Sequence, residues 1–322
     1  MKLVILDSYA LVPNDLDWSQ LDTVVDSIEC YPRTPYEQIS ARIGDAELAI
    51  INKCRIDEAV LNACPNLKWV GVTATGTDSL DIEACRRHGV AVANVPSYST
   101  HAVAQLTFAL LLCGCQQVLE HNRAVRQGYW QLDVPPQLAP AVPMELYGKT
   151  IGIVGYGEIG RQVAGIAAAF GMKVLVHTRT VREEYKQHPV RFVSLEELYA
   201  ESDIVSLHCP STPQTAGMIC ENSLKQFKKG AFLINTARGT LVREQDLANA
   251  LSSGQLAFYG ADVAYTEPAP ADCVLRSLPN ALLTPHIAWT TPEALERLAA
   301  CVCSNLISFL SGSPENIVNG VY

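Results

Sequence analysis

The sequence predicts an α/β protein built from two doubly wound, parallel-sheet domains. Three observations carry this. Over residues 1–95, short apolar runs alternate with helical patterns. The alternation restarts near residue 150. At the restart, a glycine-rich turn joins a strand pattern directly to a helix pattern. A length of 322 residues agrees with two domains.

In the first half, residues 3–6 (LVIL) read as a strand ending at Asp7, and residues 36–43 as a helix. Residues 48–51 form a strand followed by Asn52 and Lys53, and residues 57–64 a helix closed by Pro65. Residues 69–73 form a strand running into Ala74-Thr75-Gly76-Thr77. Residues 81–88 are a helix closed by Gly89, and residues 90–95 a further strand. Ligands of open parallel sheets lie at the carboxyl ends of the strands. Here those ends carry Asn52-Lys53, Thr75-Gly76 and residues 97–100. Residues 100–125 read as one long helix, with Ser99 or Thr100 as N-cap and so apolar at its start that it is expected to be buried. Residues 128–147 hold four prolines and are not regular structure. They read as an arm that packs on a second subunit, with a plain surface loop as the alternative.

The second half opens with the strand 150–154, then Gly155, Gly157 and Gly160 as G-x-G-x-x-G, then a helix over 161–171. In this Rossmann-like setting the first glycine permits the tight turn, the second admits a pyrophosphate, and the third lets helix and strand pack closely. The amides of Glu158, Ile159 and Gly160 at the helix start are the candidate phosphate donors. A glycine-rich turn without a ligand is the alternative. Strands follow at 173–176, 203–207, 231–235, 257–263 and 281–283. Helices follow at 194–201, 223–228, 243–252 and 292–311, the first capped by Ser194 with Glu197 at the capping-box position. The last helix is expected to return to the first domain. That domain is then discontinuous, 1–99 with 292–322, and residues 100–291 form the dinucleotide-binding domain.

The bulk properties exclude several classes. The 24 Lys and Arg against 33 Asp and Glu give a net charge of −9, with no basic run. That argues against nucleic-acid and membrane partners but leaves room for a small anion. No apolar run reaches membrane-spanning length, and KLVILD after Met1 is too short for a secretory leader. Eleven cysteines, an odd number without C-x-x-C spacing, read as reduced core residues of a cytoplasmic protein, with no metal expected.

Three polar residues fall just beyond strand ends of the second half: Arg238, Glu267 and His286. Reducing a ketone by hydride transfer needs a proton donor near the carbonyl oxygen, and histidine titrates in the right range. A carboxylate beside the imidazole orients it, and an arginine grips a substrate carboxylate. The trio therefore suits a 2-oxo acid. Taken singly, each has a plain alternative: a turn histidine, a surface charge, a solvated loop.

From about residue 74 to 289, and more loosely over the whole chain, the sequence resembles the D-isomer-specific 2-hydroxyacid dehydrogenases. The stretches that carry the resemblance are GYGEIGRQVAGIAAAFGMKV, LHCPSTPQT, FLINTARGTLVREQDLANAL, the ADV…EP segment and LLTPHIAW. The resemblance implies a homodimer with a split substrate domain and the catalytic residues Arg238, Glu267 and His286. It also implies substrate-carboxylate binding by the backbone near Ala74, Thr75 and Gly76. Within the family, INK at 51–53, PSYSTHAVAQLTFALLL, EHNRAVRQGYW and PHIAW look most like glycerate dehydrogenases, that is, hydroxypyruvate reductases. His101 departs from that pattern, where a glutamate is expected, and Lys53 is a candidate for the substrate's far end.

The cofactor implied is NAD(P). The acidic residue expected about 20 residues past the glycines to hold the ribose is replaced by Thr178, followed by Arg179. This favours NADP over NAD; stacking of Arg179 on the adenine, compatible with both, is the alternative. Cys209, Pro210, Thr215, Thr236, Ala237 and Ala288 complete the candidate cofactor contacts with Arg238 and His286. By resemblance Asp262 meets the nicotinamide carboxamide, and a strand-end cap is its alternative role. The expected reaction interconverts a small 2-oxo acid and its D-2-hydroxy acid, with hydroxypyruvate or glyoxylate favoured. A D-lactate or branched-chain 2-oxo acid reductase, and a non-catalytic dinucleotide-sensing protein like the corepressor relatives, are the rival readings.

Overall fold

The computed structural model describes residues 1–9, 18, 20–131 and 142–322. The chain divides into two compact units, Met1–Ser99 with Thr290–Tyr322, and Thr100–Trp289.

The first unit is built on strands β1 (Lys2–Ile5), β2 (Ser27–Cys30), β3 (Leu48–Ile51), β4 (Trp69–Val72) and β5 (Ala91–Ala93), in the order β2-β1-β3-β4-β5. Every pairing is parallel. β3 and β4 are buried along their whole length, as sequences apolar at every position require. Helices α1 (Tyr36–Ile43), α2 (Glu58–Ala63) and α3 (Ile82–Arg87) connect the strands. Asp57 caps α2 by accepting the Val60 amide, and Asp81 caps α3 by accepting the Ala84 amide. Val4, Leu6, Ile39, Ile43, Val70 and Val92 are among the core residues. β2 was not expected from the sequence. Its residues Ser27-Ile28-Glu29-Cys30 are largely exposed, because an edge strand needs no apolar run.

The second unit opens with α4 (Thr100–Gln116) and α5 (Val118–Arg126). The single helix expected over 100–125 is thus corrected to two. Gln117 takes a left-handed conformation, φ 52° and ψ 33°, and the helices bend by 53° there. Ten of the seventeen residues of α4 are buried and none of α5, so the break separates a core helix from a surface helix. Among the described residues no single helix is long and apolar enough to cross a membrane.

The strands of this unit are β6 (Thr150–Val154), β7 (Lys173–His177), β8 (Arg191–Phe192), β9 (Ile204–Leu207), β10 (Ala231–Asn235), β11 (Leu256–Ala261) and β12 (Ala281–Leu283). They form one sheet in the order β12-β11-β10-β9-β6-β7-β8, again parallel throughout. The helices are α6 (Glu158–Ala169), α7 (Leu195–Glu201), α8 (Glu221–Leu224) and α9 (Glu244–Ser252). α6 begins three residues before the expected 161, because Gly157 is already its extended N-cap. α8 is a single turn, shorter than the 223–228 expected. The final helix, α10 (Pro292–Leu310), belongs to the first unit. All eleven cysteines are free thiols. Of the proline-rich stretch 128–147, residues 132–141 lie outside the described residues.

Candidate active site

β6 delivers the chain to Gly155, whose φ of +96° makes the turn. A Cβ there would lie 2.6 Å from the His208 carbonyl, and a Cβ at Gly160 would lie 2.2 Å from the Gly155 carbonyl oxygen. A side chain at Gly155 would drive into the chain leaving β9, and one at Gly160 would push α6 away from the end of β6. Gly157 differs: nothing stands within 4 Å of where its Cβ would be, and no side chain caps α6. The first-turn amides of Glu158, Ile159 and Gly160 therefore have no side-chain cap, and the positive end of the helix dipole lies behind them. That cradle fits a dinucleotide pyrophosphate.

At the end of β7, Thr178 is half-buried and Arg179 exposed. No carboxylate occupies Thr178's position. At the end of β9, the Thr215 hydroxyl donates to the Pro210 carbonyl at 2.7 Å and accepts the Thr212 amide at 2.8 Å, closing the turn after Cys209. Burial pushes the Cys209 thiol up to about 11, so it stays protonated. Desolvation lowers the neighbouring His208 to about 3. Its neutral ring meets the Ser206 hydroxyl at 2.8 Å.

β10 ends in the fully buried Asn235. Its side chain accepts the Ala237 amide at 3.1 Å and donates to the Arg238 carbonyl at 2.9 Å, closing the turn that presents Arg238. Thr236 meets the buried Thr107 of α4 through their hydroxyls at 2.9 Å. Gly239 follows, where a Cβ would lie 2.0 Å from the Ala264 carbonyl. The Arg238 turn thus backs directly onto the loop after β11. That loop carries Glu267, which accepts the Ala264 amide at 3.3 Å through one oxygen. The other oxygen meets His286 Nδ1 at 2.6 Å. Both side chains are about one-third exposed, so the pair is open on one side.

His286 sits at φ 56°, an unfavourable backbone for a residue with a Cβ. The buried Asp262 holds this turn on both flanks. Its Oδ1 accepts the Thr284 hydroxyl at 2.6 Å and the Ile287 amide at 2.9 Å, and its Oδ2 accepts the Ala288 amide at 2.8 Å. The carboxylate expected to face the cofactor therefore has both oxygens on donors of its own chain. Asn235, Gly239 and Thr107 were not singled out from the sequence. Only the spacing Asn235-x-x-Arg238 gave a local hint of the first.

In the first unit, Lys53 is exposed, and the Thr75 hydroxyl donates to the Val95 carbonyl at 2.8 Å. His101 is exposed in the first turn of α4.

Known proteins share this chain's fold and much of its sequence. The NAD-binding domain model of the D-isomer-specific 2-hydroxyacid dehydrogenases matches residues 108–288. A hydroxypyruvate reductase of Blautia hydrogenotrophica is 41% identical over 322 residues, covering 99% of this chain and 100% of that one. Among solved structures, an acyclic imino acid reductase in complex with NADPH and D-Arg superposes with a TM-score of 0.88 at 30% identity, covering 99% of this chain and 100% of that one. The D-lactate dehydrogenase of Aquifex aeolicus, complexed with NAD and lactic acid, gives 0.86 at 30% identity and 99% of both chains. The fold, the glycine cradle and these similarities together place the chain in the D-isomer-specific 2-hydroxyacid dehydrogenase family.

Proposed function

We propose that this dehydrogenase reduces hydroxypyruvate or glyoxylate to the D-2-hydroxy acid and prefers NADPH. The observation that carries the mechanism is the 2.6 Å contact between His286 Nδ1 and Glu267. A reduced nicotinamide, when bound, supplies a hydride to C2 of the substrate. With Nδ1–H donated to Glu267, the other ring nitrogen, Nε2, is left to carry the proton that goes to the carbonyl oxygen. Glu267 stabilises the doubly protonated ring that reduction requires. In the oxidative direction the singly protonated ring accepts the alcohol proton at Nε2. Arg238 binds the substrate carboxylate and polarises the carbonyl. Lys53 and the backbone of Ala74, Thr75 and Gly76 are the remaining proposed substrate contacts.

The NADPH preference rests on Thr178 and Arg179: two groups able to bind a 2′-phosphate and no carboxylate to repel one. Glu158, Ile159, Gly160, Pro210, Thr215, Thr236, Ala237 and Ala288 are proposed to line the rest of the cofactor's path. The protein is further proposed to be a cytoplasmic homodimer. Eleven thiols without a disulfide suit a reducing compartment. The exposed apolar residues Val118, Leu119 and Val125 of α5 suit burial by a second copy.

The test is oxidation of NADPH against NADH by the purified protein, with hydroxypyruvate, glyoxylate, pyruvate and a branched 2-oxo acid. Fast NADPH use with hydroxypyruvate or glyoxylate is the expected result. NADH preference overturns the role given to Arg179. Preference for pyruvate or the branched acid moves the substrate and keeps the mechanism. Cofactor binding without turnover of any acid would favour a sensor.

A further inference from the structure

The carboxyl edge of the first unit's sheet is tied together by side chains in a way its backbone ladder does not require. Two residues beyond β1 lies Asp7, whose carboxylate accepts three consecutive backbone amides from the loop after β3: Asn52 on Oδ1 at 2.7 Å, and Lys53 and Cys54 on Oδ2 at 2.5 and 2.9 Å. Asn52 carries the chain onward. Its side-chain amide donates to the carbonyl and hydroxyl oxygens of Thr73, at the end of β4, at 2.8 and 2.9 Å. Thr73 in turn donates to the Ile51 carbonyl at 3.1 Å. Two residues on, Thr75 donates to the Val95 carbonyl, and Asn94 donates to the Thr75 carbonyl at 2.8 Å. The loops after β1, β3, β4 and β5 are thereby linked in one hydrogen-bonded rim.

Ligands of open parallel sheets bind at this edge. A loop that must hold a ligand in one geometry binds tighter when its conformation is set beforehand. We infer that Asp7 and Asn52 are positioning residues for the 2-oxo acid: they set the conformation of the Lys53 and Thr75–Gly76 loops before substrate arrives. The inference rests on the substrate contacts proposed above. Asp7 itself is spent on backbone amides and is not offered as a substrate contact.

Asp7→Asn is nearly isosteric and separates this role from bulk. Each carboxylate oxygen accepts at least one backbone amide, so either orientation of the asparagine sets an NH₂ group against a backbone N–H. Steady-state kinetics with NADPH and hydroxypyruvate are to be run on the wild type, Asp7→Asn and Asn52→Ala, with melting temperatures alongside. The expected result is a KM for hydroxypyruvate raised about tenfold in Asp7→Asn, the effect of an amide left without its acceptor, and about threefold in Asn52→Ala. KM for NADPH should stay within about twofold and kcat fall far less than kcat/KM. A residue that serves stability alone would lower the melting temperature and leave KM for the acid unmoved. That pattern, in either variant that folds, overturns the inference while wild-type turnover keeps the proposed function standing. A wild type that turns over none of the four acids overturns both.

Discussion

The two units are both parallel, doubly wound α/β sheets, but α2 and α3 of the first start differently from α6 of the second. In the first, α2 and α3 begin at Asp57 and Asp81, whose carboxylates accept the Val60 and Ala84 amides. In the second, α6 begins at Gly157, with no side chain on its first-turn amides. An acidic cap takes up a first-turn amide and adds a negative charge where the helix dipole is positive, which weakens the site for a phosphate. The glycine start of α6 leaves its first-turn amides without a side-chain acceptor, and the acidic Glu158 in that turn is ion-paired to Arg161. α1 of the first unit, which starts after Pro35, has no side-chain cap either, so the open start of α6 counts only together with the glycine turn that delivers the chain to it.

The largest expected effect breaks the chemistry and leaves that contrast intact. His286→Ala should lower kcat by about 10² to 10⁴, the range for loss of a general acid. Cofactor affinity, measured by nucleotide fluorescence titration, should hold within about threefold, since the α6 cradle is unaltered. Near-wild-type turnover would remove His286 as proton donor. Gly157→Asp attacks the contrast directly by giving α6 the kind of cap that α2 and α3 have. The φ of −77° and the open space around its Cβ accommodate the new side chain. Cofactor affinity should weaken by about 100-fold through charge against the pyrophosphate, while the melting temperature holds or rises. Unchanged affinity would show that this helix start does not hold the phosphates. The smallest effect is the converse. Asp81→Ala removes a cap from the first unit and should cost about 1 kcal/mol in denaturant unfolding, with cofactor affinity unmoved.

Legibility in the sequence followed burial and locality. β3 and β4 were read at or within a residue of their bounds, because strands buried on both faces are apolar at every position. The caps Asp57, Asp81 and Ser194 are local signals, and the glycine fingerprint combines a local signal with its flanking elements. The break at Gln117 was hidden, since neither glycine nor proline marks it and the burial of α4 ends for tertiary reasons. Arg238, Glu267 and His286 stood out in the sequence only as a set placed just beyond strand ends, since each alone has a plain alternative. The means of holding them was not legible: the Asp262 bonds to the 284–288 turn span 22 to 26 residues. Asp7 reaches across 45 residues to Asn52, a distance over which no periodicity reports.

The polarity that concealed β2 from a reading of apolar runs also has a consequence for solubility. A sheet's outermost strand exposes a row of backbone groups that another chain can pair with. Here Glu29 of β2 is ion-paired at 2.9 Å to Lys2 on the neighbouring strand. A stranger adding itself edge to edge would have to run alongside that charge, so β2 shields the first unit against aggregation through the residues that made it hard to recognise.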